Sequence, residues 1–524
     1  MRRSWRAWAN MFLISGTVVA TLGGCAPLVT PTPTAPVVVG RPVSVTPTRG
    51  VERTWQPTPI PTFTPLPVHT PSSRPGSPGP AGVTPTLRSY SPTPAPAVRI
   101  WETTISILTY QYQGAFLPAP TIPYPRLDLA RVGPPTPKAY RAVMVENRYL
   151  QLTFLPDLGG RLYRCVFKPT GQDVFYRNPV VKPTHWGPDE LGWWIAAGGM
   201  EWCFPVWEHG YTTALPWRCH TKREKDGGVT FIAEDDEQTT GLHVSVAVTL
   251  RPNRADLEIR PTVHNPTGQA QTYKLWLNAL LSLSADRQAA PATRFALPVS
   301  QAIVHSTGDE TLPRPGEHMS WPLHNGRDFS RYADWTSYLG LFAAPPAPPW
   351  AGAYQPASDL GLVRVGDMPG VKLFAFGPDQ DPATYTDGDS WYFELWSGAA
   401  PDFDQALTIA PGAMHTWTER WYPVAGIGGL DGATDRAALR LEAGSQPGTL
   451  LVGVAAPARQ PGTVVVLVEG AEVFRQTASV TPDRPFFAPV AVPASVPAAG
   501  LVTLRFLDDK GPVIAQAERW MAVR

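Results

Sequence analysis

Between His185 and His220 the chain concentrates groups that can do chemistry. Trp186, Trp193, Trp194, Trp202, Trp207 and Trp217 stand there among Glu201, Glu208 and His209. A second such place is Glu394, set between Trp391 and Trp396. Indole rings stack on the C–H face of a sugar while carboxylates and imidazoles bond its hydroxyls, so this mixture points to a carbohydrate site. Large aromatics also fill cores, and for any single tryptophan that is the plainer reading. Six of them within 32 residues, interleaved with Gly198-Gly199 and acidic residues, favour a cleft. Glu201 and Glu394 facing each other across a sugar would also be the apparatus of glycoside hydrolysis. The cysteines beyond Cys25 (Cys165, Cys203 and Cys219) fit no zinc-binding spacing, and the ten histidines are scattered, so neither metal nor cofactor is expected. One disulfide among the three is open to an exported chain; buried free thiols are the alternative.

The elements that must position these groups read as strands. Tyr149–Phe154 alternates apolar and polar residues and stops at the turn Pro156-Asp157-Leu158-Gly159-Gly160. Leu242–Val248 and Ala255–Arg260 follow the same period of two, and no segment carries a long amphipathic helical period. The fold class is therefore all-β, with a large antiparallel sandwich over residues 98–429. Residues 430–524, with runs such as Thr463–Val468 and Leu501–Phe506, fit a small immunoglobulin-like β-sandwich. The glycine-rich Ala425–Gly429 is the expected hinge between them.

The chain before residue 98 differs in kind. Arg2, Arg3 and Arg6 precede an apolar run, about Met11 to Leu22, too short to span a bilayer. The run ends at Leu22-Gly23-Gly24-Cys25, which resembles the lipobox of bacterial lipoproteins and implies cleavage after residue 24 and acylation of Cys25. Residues 25–97 hold 19 prolines, interleaved with Thr, Ser and Val. Each proline removes a donor and fixes φ, so this segment reads as a disordered, extended stalk. The expected localisation is extracytoplasmic, lipid-anchored to the bacterial membrane. Lysine and arginine total 44 against 43 acidic residues, which argues against a nucleic-acid partner.

Several strings resemble the galactose mutarotase-like (aldose 1-epimerase-like) superfamily. Pro156–Leu162, including Arg161, is similar to its early strand-turn. His209-Gly210-Tyr211 with Leu215-Pro216-Trp217 is similar to a stretch whose histidine contacts the sugar. Phe393-Glu394-Leu395, followed by Pro401–Gln405 and Pro411-Gly412, resembles the C-terminal signature, in which the glutamate is the catalytic base. More closely, residues 98–429 resemble an uncharacterised bacterial domain family within that superfamily. The matching strings include Ile100–Thr104, Val145–Asn147, Val174–Pro179 and Gly198–Trp202.

The resemblance implies a β-supersandwich, a sugar ligand, and Glu394 as base. It also exposes a departure. The superfamily's ring-protonating histidine lies on a strand after an Asn-x-Thr turn. Here the turn is Asn265-Pro266-Thr267, and Asn278 takes the histidine's place on Lys274–Leu281. Asparagine cannot cycle a proton near neutral pH, so Glu201 or His264 would have to supply the acid. The expected site is thus Glu394, His209 and Glu201 as reacting or polar groups. Arg161 and Asn278 are further polar contacts, and Trp202, Trp207 and Trp396 stacking platforms. All must meet on one concave sheet face. A sugar-binding protein, an epimerase or other carbohydrate-active enzyme using Glu394, and an envelope scaffold with a vestigial cleft are the competing readings.

Overall fold

A computed structural model describes residues 97–523 except 207, 285–287 and 378–379. The signal segment, Cys25, the proline-rich stalk and Trp207 lie outside the described residues.

The expected strands form where alternation placed them, at Leu150–Leu155, His243–Leu250 and Leu257–His264. They belong to two large sheets, of fourteen and nine strands. Pairing is antiparallel throughout except where Arg99–Gln111 runs parallel to Arg177–Thr184. The main core lies between the two sheets. From the larger come Leu162, Trp202, Leu277 and Leu395; from the smaller come Phe231, Val246, Ile259 and Trp421. Phe154 and Phe231 stack across the gap with ring centroids 3.9 Å apart. A period of two then sends every second residue of the central strands to the larger sheet's other face.

That other face carries the site, and strand register sets its rows. Five neighbouring strands matter: Arg161–Phe167, Met200–Cys203, Trp276–Leu281, Phe393–Gly398 and Gly370–Ala375, adjacent in that order. Glu201 pairs with Asn278, Asn278 with Trp396, and Trp396 with Lys372. One row along, Trp276 lies over Gly398 and Gly370, where an added Cβ would stand 2.3 and 2.5 Å from the indole. Glycine at both positions is what lets the indole lie flat on the sheet.

Residues 430–523 make two four-stranded sheets around their own core of Leu439, Val452, Val464, Val466, Leu504 and Phe506. The expected hinge is pinned: the Ile427 and Gly428 amides both donate to the Tyr354 hydroxyl, and Ile427 is fully buried.

Candidate carbohydrate site

Glu201 is the hub. Its Oε2 accepts from Arg161 Nη2 at 3.2 Å and from Trp194 Nε1 at 3.1 Å. Its Oε1 meets His209 Nδ1 at 2.7 Å and accepts from Asn278 Nδ2 at 3.1 Å. Burial would raise this carboxyl's pKa, but His209, Arg161 and the Trp194 N–H together outweigh burial and hold it below the usual range. An ionised carboxylate only accepts, so Nδ1 of His209 carries the proton in this contact. Nε2 is left without a hydrogen bond among the described residues. The His209 ring is further fixed by stacking on Trp194, centroids 4.0 Å apart.

Local sequence explains how Arg161 reaches Glu201. Gly159 and Gly160 both have positive φ, and a Cβ on Gly159 would stand 2.6 Å from the Thr213 carbonyl oxygen. The Pro156–Gly160 turn can therefore press against the 212–217 loop. Arg161, fully buried, directs its remaining donors to the carbonyls of Leu158, Gly198 and Thr213.

Glu394 differs. Among the described residues it accepts one hydrogen bond, from Trp396 Nε1 to Oε2 at 2.8 Å. Burial pushes its carboxyl above the usual range, against the pull of His209 and Lys372, and Glu201 adds to the rise. The Trp396 ring links the two halves, 5.6 Å from the His209 ring and 4.6 Å from the Lys372 ammonium. Asn278, between the halves, has a buried Oδ1 with no hydrogen-bond partner among the described residues. Buried polar atoms are nearly always paired, so an orphan here marks a place where a ligand or water belongs.

Glu394, Glu201, His209, Asn278, Arg161 and Trp396 therefore converge from segments far apart in the chain. Three expectations need correction. Trp202 is no stacking platform: next to Glu201 on a strand, it points to the opposite face, into the inter-sheet core, with its N–H on the Gly160 carbonyl. Trp396 belongs to the site as a donor to Glu394 and a ring under Lys372, not as an exposed surface, being 1% exposed. The expected open cleft is instead a nearly closed floor, with all six converging residues less than a tenth exposed. Solvent comes nearest at Glu208, His305 and Phe374, which are partly exposed.

Other expectations from the sequence narrow as well. Glu201, holding four contacts and paired with Arg161, is not free to act as a second reacting carboxylate or as the missing acid. His264 sits on the smaller sheet, paired across from His243 and Met414. The three later cysteines are free thiols. Cys203 Sγ, a Glu201 oxygen and a His209 nitrogen lie within 4.8 Å of one another, close enough to hold a metal ion, although burial and the nearby carboxylates drive the thiol's pKa well up. Sequence reasoning missed Trp194 and Lys372. Trp194 stood in the tryptophan-rich segment without being singled out; Lys372 is visible only through strand register.

A family model described as "Domain of unknown function (DUF5107)" matches residues 118–424. Another, described as "YphG-like protein, second domain", matches residues 432–516. Among solved structures the chain is similar to a TPR-domain containing protein from Parabacteroides distasonis ATCC 8503. That match has 25% identity and a TM-score of 0.54 over 63% of this chain and 56% of that one. The chain thus spans little more than half of that protein's length. It is also similar to galactose mutarotase-like proteins from Lactobacillus casei ATCC 334 and Clostridium acetobutylicum. The first has 14% identity and a TM-score of 0.37 over 54% of this chain and 99% of that one. The second has 11% and 0.38 over 55% and 96%.

Proposed function

The chain belongs to the DUF5107 family, whose description assigns no activity, and from the geometry of its site we propose that it binds a carbohydrate on the outer face of the larger sheet. The observation that carries this reading is unused valence. Among the described residues Asn278 Oδ1 is buried without a partner, His209 Nε2 has no hydrogen bond, and Glu394 accepts one. Sugar hydroxyls both donate and accept, and so match such a set. The motif resemblance at His209 and Glu394 supports the same reading.

The catalytic extension is aldose ring opening. Glu394 would take the proton of the anomeric hydroxyl. His209, doubly protonated with its Nδ1–H on Glu201, would give its Nε2 proton to the ring oxygen, in the role that Asn278 cannot fill, and take it back on ring closure. Near-complete burial favours the rival, in which the cluster is an internal polar staple of an envelope scaffold. Calorimetric titration of the intact chain with a panel of neutral and acidic monosaccharides separates the two. Saturable binding that Glu394→Gln weakens supports the sugar reading, and a panel without any binding overturns it. Polarimetry on the same panel tests ring opening. The lipid anchor at Cys25 belongs to this proposal: Cys25→Ser should move the protein from the membrane to the soluble fraction.

A further inference from the structure

The fully or nearly fully buried cations on the larger sheet's outer face and between the sheets differ in one respect. Arg161 is paired with Glu201, and Arg364 with Glu419. Lys372 is 2% exposed, yet its Nζ makes no hydrogen bond or ion pair with any of the described residues. It lies instead among rings, 4.4 Å from the Phe403 centroid, 4.6 Å from Trp396 and 5.6 Å from Phe374. Ring faces offset part of the charge but leave its three N–H donors without acceptors among the described residues. Leaving an ammonium so desolvated is costly unless something completes it.

The surroundings narrow what that something is. Glu208 and Glu394 act on Lys372 only through space, opposing the burial that lowers its pKa. Glu208 stands at the solvent edge, 3.8 Å from His305. Glu394 is engaged with Trp396, and burial shifts it towards its neutral form. A hydroxyl would satisfy one donor and leave the charge. A carboxylate would satisfy both through short, charge-assisted bonds. A phosphate dianion would bring more negative charge than one ammonium balances, beside the carboxylates of Glu201, Glu208 and Glu394.

We infer that the sugar bound at this site is a uronate, its carboxylate held by the Lys372 ammonium. This rests on the carbohydrate-binding reading and adds the substrate class to it. Lys372 lies in the same row as Asn278, since Trp396 pairs with both, and one row from Glu394. A pyranose whose hydroxyls meet Glu394 and Asn278 can therefore direct its carboxylate to the ammonium.

The test titrates the intact chain with galacturonate and glucuronate, the matching neutral hexoses, the uronamides and glucose 6-phosphate. A uronate should bind about tenfold or more tightly than its hexose and its uronamide, as a charge-assisted pair implies. Lys372→Met should reduce uronate affinity to the hexose level while changing hexose affinity less than about twofold. The uronate-against-uronamide comparison uses the unaltered protein, so the inference can fail even if the variant does not fold. Equal binding of uronate, uronamide and hexose would overturn the inference and leave the carbohydrate reading standing. Preference for glucose 6-phosphate would overturn the carboxylate assignment. Absence of binding by any sugar would overturn both.

Discussion

Two buried arginine–glutamate pairs in this molecule are built from the same parts and end differently. Arg364 and Glu419, both fully buried, sit between the sheets. Glu419 accepts from Arg364 Nε, Ser397 Oγ and the indoles of Trp417 and Trp421. Arg364 gives its other donors to Ser397 Oγ and the Gly366 carbonyl. Because Ser397 belongs to the larger sheet and the pair to the smaller, the cluster is a clip across the core, closed within itself. Arg161 and Glu201 also combine guanidinium, carboxylate and indole. Among the described residues that cluster continues through His209 and Asn278 to atoms with no partner, and next to it lie a once-bonded carboxylate and an ammonium without an acceptor. Burial does not distinguish the two sites. Leftover hydrogen-bonding capacity does, and it separates a structural ion pair from one that positions groups for something else.

The sharpest way to break the comparison is to remove one carboxylate from each pair. Glu419→Gln strands a buried Arg364 and should cost roughly 3–5 kcal/mol of unfolding free energy, measured by denaturant titration, with sugar affinity unchanged in the folded fraction. Glu201→Gln should cost less, roughly 2–3 kcal/mol, because Arg161 keeps three carbonyl acceptors. It should also abolish sugar binding, since His209 loses its orientation. Equal losses with unaffected binding in both variants would make the Glu201 cluster a second clip.

Glu394 should respond with the opposite sign. A carboxyl whose pKa is raised by folding penalises the folded state once pH passes the unfolded value, near 4.5, and the penalty grows until pH exceeds the raised one. Glu394→Gln should therefore stabilise the protein at neutral pH by about 0.5–2 kcal/mol, the usual scale of a relieved functional site. The gain should vanish below about pH 4.5. Glu201, whose pKa is lowered, contributes stability above the unfolded value, and that contribution disappears as pH falls through the lowered one. Melting temperatures of wild type and both variants from pH 4 to 8 check both signs. A destabilising Glu394→Gln at neutral pH would contradict the site's strained half.

Much of this was legible in the sequence, and the reasons divide by range. Alternation revealed strands such as Leu150–Leu155 because one face of each meets the inter-sheet core. The same rule places Trp202 opposite Glu201, because adjacent residues of a strand face opposite sides of the sheet. Motif resemblance picked out Arg161, His209, Asn278 and Glu394. The contacts of His209 with Glu201 and of Glu394 with Trp396 are local in the chain, whereas Arg161 and Asn278 reach Glu201 from strands 40 and 77 residues away. Lys372 was hidden for a physical reason. In Val371-Lys372-Leu373-Phe374 it reads as an ordinary outward-facing lysine, and only cross-strand register with Trp396 shows that its outward face is covered by rings. Closure of the floor was illegible too, because it depends on loops meeting from distant parts of the chain.

The smallest expected effect is the most discriminating. Asn278→Ala removes one hydrogen bond to Glu201, a loss of about 1 kcal/mol, and also deletes an unsatisfied buried oxygen, a gain of similar size. Net stability should change by less than about 1 kcal/mol. If that oxygen serves a sugar hydroxyl, affinity should nevertheless fall by about tenfold, the value of one good hydrogen bond in a desolvated site. Unfolding and calorimetry on the same preparation give both numbers. Stability held with affinity lost assigns the orphan oxygen to a ligand. Affinity held with stability raised would mean that the oxygen is a packing defect and that the two clusters compared above are alike after all.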